Sequence, residues 1–191
     1  TFTGALNINA DTVLFSGGNN RLADTVAVTV ASGATLNVNT RSDTIGSLAG
    51  AGTLTNGGAT AATLTFGGLN SDTTFSGTIT DAPGSLSLVK QGTGTTILSG
   101  ANSYDGTTTI NAGVLSIAAD SGLGTAPGVA TAGQLTFGGG TLQTTATFPL
   151  AATRGIALTG AGTLSPDPGT TLSYGGIIAG ASTLTKAGTG T

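Results

Sequence analysis

The chain has 191 residues, five Lys and Arg against eight Asp and a net charge of −3, with no histidine, cysteine, methionine, tryptophan or glutamate. That vocabulary lacks most catalytic side chains, all disulfides and thiolate metal ligands; five scattered cations, Arg21, Arg41, Lys90, Arg154 and Lys186, cannot neutralise a row of phosphates. The expectation is therefore no enzyme, no cofactor, no metal and no nucleic acid, while 38% hydrophobic residues and a mean hydropathy of +0.30 argue against a disordered chain.

Alternating apolar and polar residues recur in short runs between glycines, in chain order Val26–Val30, Ala34–Val38, Thr63–Phe66, Ser85–Leu88, Gly113–Ile117 and Ser182–Thr185. Period two places successive side chains on opposite faces, so each run predicts a strand with one buried face. Helix has little to build on, since glycine and threonine-rich runs interrupt almost every ten-residue window. Asp11, Asp43, Asp105 and Asp167 stand in loop-like contexts, where a short carboxylate bonds its own backbone, and are read as corner residues. No window of about 18 apolar residues exists, so this segment is not expected to insert in a membrane.

The chain also resembles itself. Leu6–Asp11 matches Leu115–Asp120, Leu48–Leu54 matches Leu158–Leu164, Phe75–Ile79 matches Tyr174–Ile178, and Lys90–Thr95 matches Lys186–Thr191. A smaller element, Leu-x-aromatic-Gly-Gly, recurs at Leu64–Gly68, Leu135–Gly139 and Leu172–Gly176, reading as an inward strand followed by a sharp turn. Such copies predict a stack of strands, and the fold expected is an all-β, right-handed parallel β-helix of about nine coils. One continuous solenoid is expected over 1–191, in two imperfect units of about 100 residues, 1–95 and 96–191, cut from a longer repeat protein.

Residues Lys90 to Ile117 read K-Q-G-T-G-T-T-I-L-S-G-A-N-S-Y-D-G-T-T-T-I-N-A-G-V-L-S-I, and a second, truncated copy begins at Thr185–Thr191. This stretch resembles the passenger-associated transport repeat of bacterial autotransporters. The resemblance implies a β-helical passenger exported from a Gram-negative bacterium and displayed or released at its surface. Two positions depart from that pattern. Thr96 stands where an aliphatic residue is usual, with local disturbance of strand register expected, and Asp105 stands where Ser or Thr is usual.

Candidate sites are each weighed against a plainer role. Asp81, Asp105 and Asp120 offer carboxylates for acid catalysis or calcium, but the plainer reading is turns, with no histidine to move protons. Lys90 and Lys186 precede Gly-Thr-Gly-Thr without the ending of a phosphate loop, and are read as solvated lysines at coil corners. Thr53/Thr55, Thr63/Thr65, Thr78/Thr80 and Thr183/Thr185 raise ice binding against outward strand positions. Phe66, Phe137 and Tyr174 are read as core, and Tyr104 as the one aromatic outside.

The reading is thus an extracellular structural β-solenoid: an autotransporter-like passenger, adhesin stalk or filament subunit. Its expected partners are neighbouring repeats or copies of itself end to end, and a host or abiotic surface. The alternatives are a carbohydrate-binding or polysaccharide-cleaving β-helix module, and third an ice-binding surface.

Overall fold

A computed structural model describes residues 2–191. Every named strand pairing is parallel, and the chain visits three faces in turn. The first face stacks nine strands: Leu6–Ile8, Ala27–Val30, Ser47–Gly50, Thr73–Phe75, Thr95–Leu98, Val114–Ile117, Thr141–Thr144, Gly162–Pro166 and Leu184–Lys186. The second carries Thr12–Leu14, Thr35–Asn37, Thr53–Asn56 and Thr78–Asp81, and later Phe148–Leu150 and Leu172–Tyr174. The third has seven: Asp43–Thr44, Ala62–Phe66, Leu86–Lys90, Thr108–Ile110, Thr131–Phe137, Arg154–Leu158 and Ile178–Gly180.

This is the expected β-solenoid. Nine strands on the first face enclose eight complete turns, close to the nine coils expected and spanning about 38 Å at ~4.8 Å per step. All six runs predicted as strands lie on strands, with ends displaced by one or two residues. Among the described residues the only helical element is a short 3₁₀ turn, Asp120–Leu123.

The core is a set of vertical ladders. Val28 pairs with Leu48, Leu115 with Leu142 and Leu142 with Leu164 on the first face. Leu36, Leu54 and Ile79 stack on the second, and Leu64 on Leu88 and Leu135 on Ile156 on the third. Each fully buried leucine or isoleucine contributes about 1.5–3 kcal/mol of transfer free energy, and here each packs against its counterpart in the next turn. Between the first and second faces the turns approach so closely that only glycine fits. A Cβ on Gly77 would lie 1.7 Å from the Gly52 carbonyl oxygen, and one on Gly100 1.8 Å from that of Gly77.

Thr96 sits in the first-face ladder without disturbing it, contrary to expectation. The register runs unbroken from Thr73–Phe75 through Thr96–Leu98 to Leu115–Ile117. The Thr96 hydroxyl lies 3.4 Å from that of Thr73, so a threonine on the next turn supplies the partner a buried hydroxyl needs.

The internal copies occupy various faces. Leu6–Ile8 and Leu115–Ile117 both lie on the first face, whereas Leu48 is on the first and its counterpart Leu158 on the third. In the smaller element, Leu64, Phe66, Leu135 and Phe137 are buried on the third face, while Leu172 and Tyr174 fall half-buried on the second.

Asp43 is not a corner residue. It occupies the third-face ladder opposite Leu64, 2% exposed, and its Oδ2 accepts the backbone N–H groups of Arg21 at 2.6 Å and Leu22 at 3.3 Å. The carboxylate thus closes a turn where no strand lies above it, while its buried Oδ1 has no partner. Burial pushes its pKa up, against the lowering effect of those N–H donors. A raised folded-state pKa means that the contribution to stability is full at acid pH and is lost as pH rises through that value. Asp43→Asn keeps an acceptor for both N–H groups. It is expected to raise the urea midpoint at about pH 7 and to leave it unchanged near about pH 3; an equal shift at both would contradict the desolvation argument.

Candidate functional site

The second face is interrupted. Between Thr78–Asp81 and Phe148–Leu150 two turns cross this face without a named strand, and side chains add to the few backbone bonds that still link the turns. Asn102, 7% exposed, accepts the Ile79 N–H on Oδ1 at 2.9 Å and donates from Nδ2 to the Gly122 carbonyl at 2.9 Å. One amide therefore mimics a peptide group toward the turn on either side.

Tyr104 fills the space beneath. It is fully buried, with its hydroxyl 2.7 Å from the Thr108 hydroxyl, which corrects the expectation that it lies outside. Desolvation raises its pKa. The glycine- and asparagine-rich setting suggested an exposed turn, but the ring occupies the core volume that a strand side chain would otherwise fill.

Asp120 and Arg154 close the gap from below. Arg154 is 1% exposed; its Nε and Nη2 meet Asp120 Oδ1 and Oδ2 at 3.2 and 3.0 Å. Its remaining donors reach the Leu123 and Gly124 carbonyls, each at 2.9 Å, and Asp120 Oδ1 also accepts the Ala151 N–H at 3.0 Å. Asp120 is thus neither a free acid nor a plain turn residue, and Arg154 is not a solvated cation. The fork of the guanidinium matches a carboxylate and two converging carbonyls, a geometry no pattern in the sequence announces.

Lys90 likewise departs from its reading as solvated. It stands in the third-face ladder between Phe66 and Ile110, 1% exposed. Its Nζ donates to the carbonyls of Gln91 at 2.7 Å, Gly92 at 3.0 Å and Ala112 at 3.4 Å. The stem fills core volume while the ammonium ties down the corner, and desolvation pulls its pKa down. Lys186 does the same in its copy, donating to Gly188 and Gly190, but is exposed. Gly92 and Gly188 share positive φ, 68° and 66°, so Lys-x-Gly-Thr-Gly-Thr is a lysine-tied corner.

Asp81 and Asp105 do come together. Asp81 Oδ2 accepts the Leu86 N–H at 2.6 Å and the Asp105 N–H at 3.0 Å. Partial desolvation and the Asp81 carboxylate push the pKa of Asp105 up. Asp105 forms one wall of an open groove of about 690 Å³ on the outside of the rod. Asp120 is absent from that pair. Among the described residues no three acidic or metal-ligating side chains gather.

Two of the four threonine pairs are bonded to each other. Thr53/Thr55 and Thr78/Thr80 stack on adjacent turns of the second face, where Thr80 donates to Thr55 at 3.0 Å and the Thr53 and Thr78 hydroxyls lie 3.5 Å apart. Above them stand Thr35 and Asn37, and Thr63/Thr65 lies on the third face opposite Ser87 and Val89. On the second face the hydroxyls bond sideways along the column. Phe66 and Phe137 are buried, so neither presents a ring to solvent, and the Tyr174 hydroxyl lies 2.8 Å from the Ile177 carbonyl.

Residues 88–117 match the sequence family described as passenger-associated-transport-repeat. In the rod they run from the Lys90 corner through Thr96, Asn102 and Tyr104 to Ile117, so the match covers one side of the interruption. The chain is also 44% identical over 139 residues to the adhesin BmaC autotransporter of Brucella suis biovar 1 (strain 1330), an alignment covering 70% of this chain and 4% of that protein. No solved structure matches.

Proposed function

Because this chain is a stretch of autotransporter passenger domain carrying a passenger-associated transport repeat, we propose that it serves as a structural section of a bacterial surface rod. The observation that carries this reading is the parallel nine-strand ladder of the first face, which transmits one register from end to end. Its work is mechanical: backbone bonds and apolar ladders hold an adhesin-like stalk in extended form on the surface of a Gram-negative cell, without catalysis. Neighbouring repeats, or further copies end to end, cover the coil edges, where Phe2 and Leu14 at one end and Ile177 and Ile178 at the other are exposed. The adhesin relative supports the surface role.

Register supplies the test. Val28 pairs with Leu48, so removing residues 28–47 excises one complete turn and brings Leu48 into the place of Val28. In the parent surface protein this deletion is expected to leave a protease-resistant passenger displayed on cells. Removing 28–37 alone takes Val28–Val30 and Thr35–Asn37 out of one turn and joins Ala27 to Val38, so that turn can no longer span its neighbours, and this is expected to abolish that display. Equal behaviour of the two deletions would overturn the rod reading.

A further inference from the structure

The groove beside the interrupted second face has a composition that the rod does not need. Three successive turns build it: Ser85 and Ser87 from one, Asp105 and Thr107 from the next, and the segment Thr125–Gly128 from the third. At about 690 Å³ it falls within the usual size range of small-ligand sites, about 300–1,000 Å³. Pro83 and Pro127 contribute rigid C–H surfaces. Ser87 and Thr107 form a hydroxyl pair 3.3 Å apart at the lining. No lysine or arginine lines it, and the one salt bridge among the described residues, Arg154 to Asp120, lies elsewhere.

Ligand chemistry follows from that lining. An anionic ligand, whether uronate, sulfate ester or phosphate, would meet the Asp105 carboxylate with no cation to offset it. A wholly apolar ligand would strand the hydroxyls and the carboxylate without partners. A sugar suits both: its hydroxyls donate to a carboxylate and exchange bonds with serine and threonine, while its C–H faces pack on proline. We propose that this groove binds a non-anionic oligosaccharide, with Asp105 accepting hydrogen bonds from sugar hydroxyls, Ser87 and Thr107 completing the polar edge, and Pro83 and Pro127 forming the apolar walls. Asp81, already engaged by two backbone N–H groups, holds the Asp105 loop in place.

The site goes beyond the rod reading and fails separately from it, since the deletion test above does not depend on glycan. Calorimetric titration of the purified protein with neutral gluco-oligosaccharides, amino-sugar oligomers and oligogalacturonates tests it. Saturable binding of the neutral or amino-sugar oligomers, and not of the galacturonates, is expected. Asp105→Asn should weaken it roughly tenfold or more, the loss of a charge-assisted acceptor, whereas Asp24→Asn, an exposed acid away from the groove, should leave it unchanged. Circular dichroism of both variants checks that they fold. Absence of saturable binding, preference for the galacturonates, or equal affinity of Asp105→Asn and the unaltered protein would overturn the proposal.

Discussion

Asn56→Asp is expected to lower stability at neutral pH by about 3 kcal/mol, a fall in Tm of about 6–12 °C for a chain of this size. Asn56 is fully buried, and its Nδ2 contacts the carbonyls of Thr60 at 2.9 Å, Gly84 at 2.9 Å and Ser85 at 3.0 Å. Its Oδ1 accepts the Thr40 N–H at 2.8 Å and that of Gly58 at 3.4 Å. One amide thereby joins the corner of its own turn to the turns on either side. Aspartate has the same outline but turns a donor into a second acceptor aimed at three carbonyl oxygens. Ionised, it is repelled; protonated, it restores one donor. Its folded pKa must therefore rise, so the deficit should shrink at acid pH and widen as pH increases. Thermal melts of the two proteins at about pH 4 and about pH 7 measure this, and a deficit independent of pH would show that the donors are not what Asn56 supplies.

Arg154→Met is expected to cost about 3–5 kcal/mol, the usual range for removing one partner of a buried pair. The methionine replaces the volume but leaves the Leu123 and Gly124 carbonyls facing no donor and Asp120 with only the Ala151 N–H. Loss should concentrate where those groups lie, so hydrogen exchange of amides 119–125 should accelerate more than that of the first-face strands, whose ladder does not use Arg154. Arg154→Lys retains the charge but not the fork, and one ammonium cannot meet a carboxylate and two carbonyls in the same plane; it should recover only part of the loss. Adding Asp120→Asn to Arg154→Met should cost less than the sum of the single changes, because the orphaned carboxylate is gone. Additive effects in that cycle would mean that the two side chains act independently.

These two residues mark where reading along the chain stops being informative. Asn56 and Arg154 carry no local signature: an asparagine before glycine looks like a turn, and an isolated arginine looks like surface. The groove was legible only in pieces. Asp81 and Asp105 stood out as acids, but nothing in their separation says that successive turns set them side by side or that Pro127, two turns from Pro83, faces the same space.

Architecture was legible because it rests on rules local in sequence. Alternation at period two assigns a strand and its buried side without reference to any other segment, glycine marks a corner wherever it falls, and near-copies of a strand at similar spacing can bury a common face only by stacking. Lys90, Tyr104, Asp120 and Arg154 obey a different condition. Side-chain chemistry predicts exposure for a lone charge, yet burial of Arg154 was settled by a carboxylate and two carbonyls 30 to 34 residues away, and that of Lys90 by a carbonyl 22 residues away together with two in its own corner. A charge goes inside when enough partners converge to replace its water, and that convergence exists only once the turns are stacked.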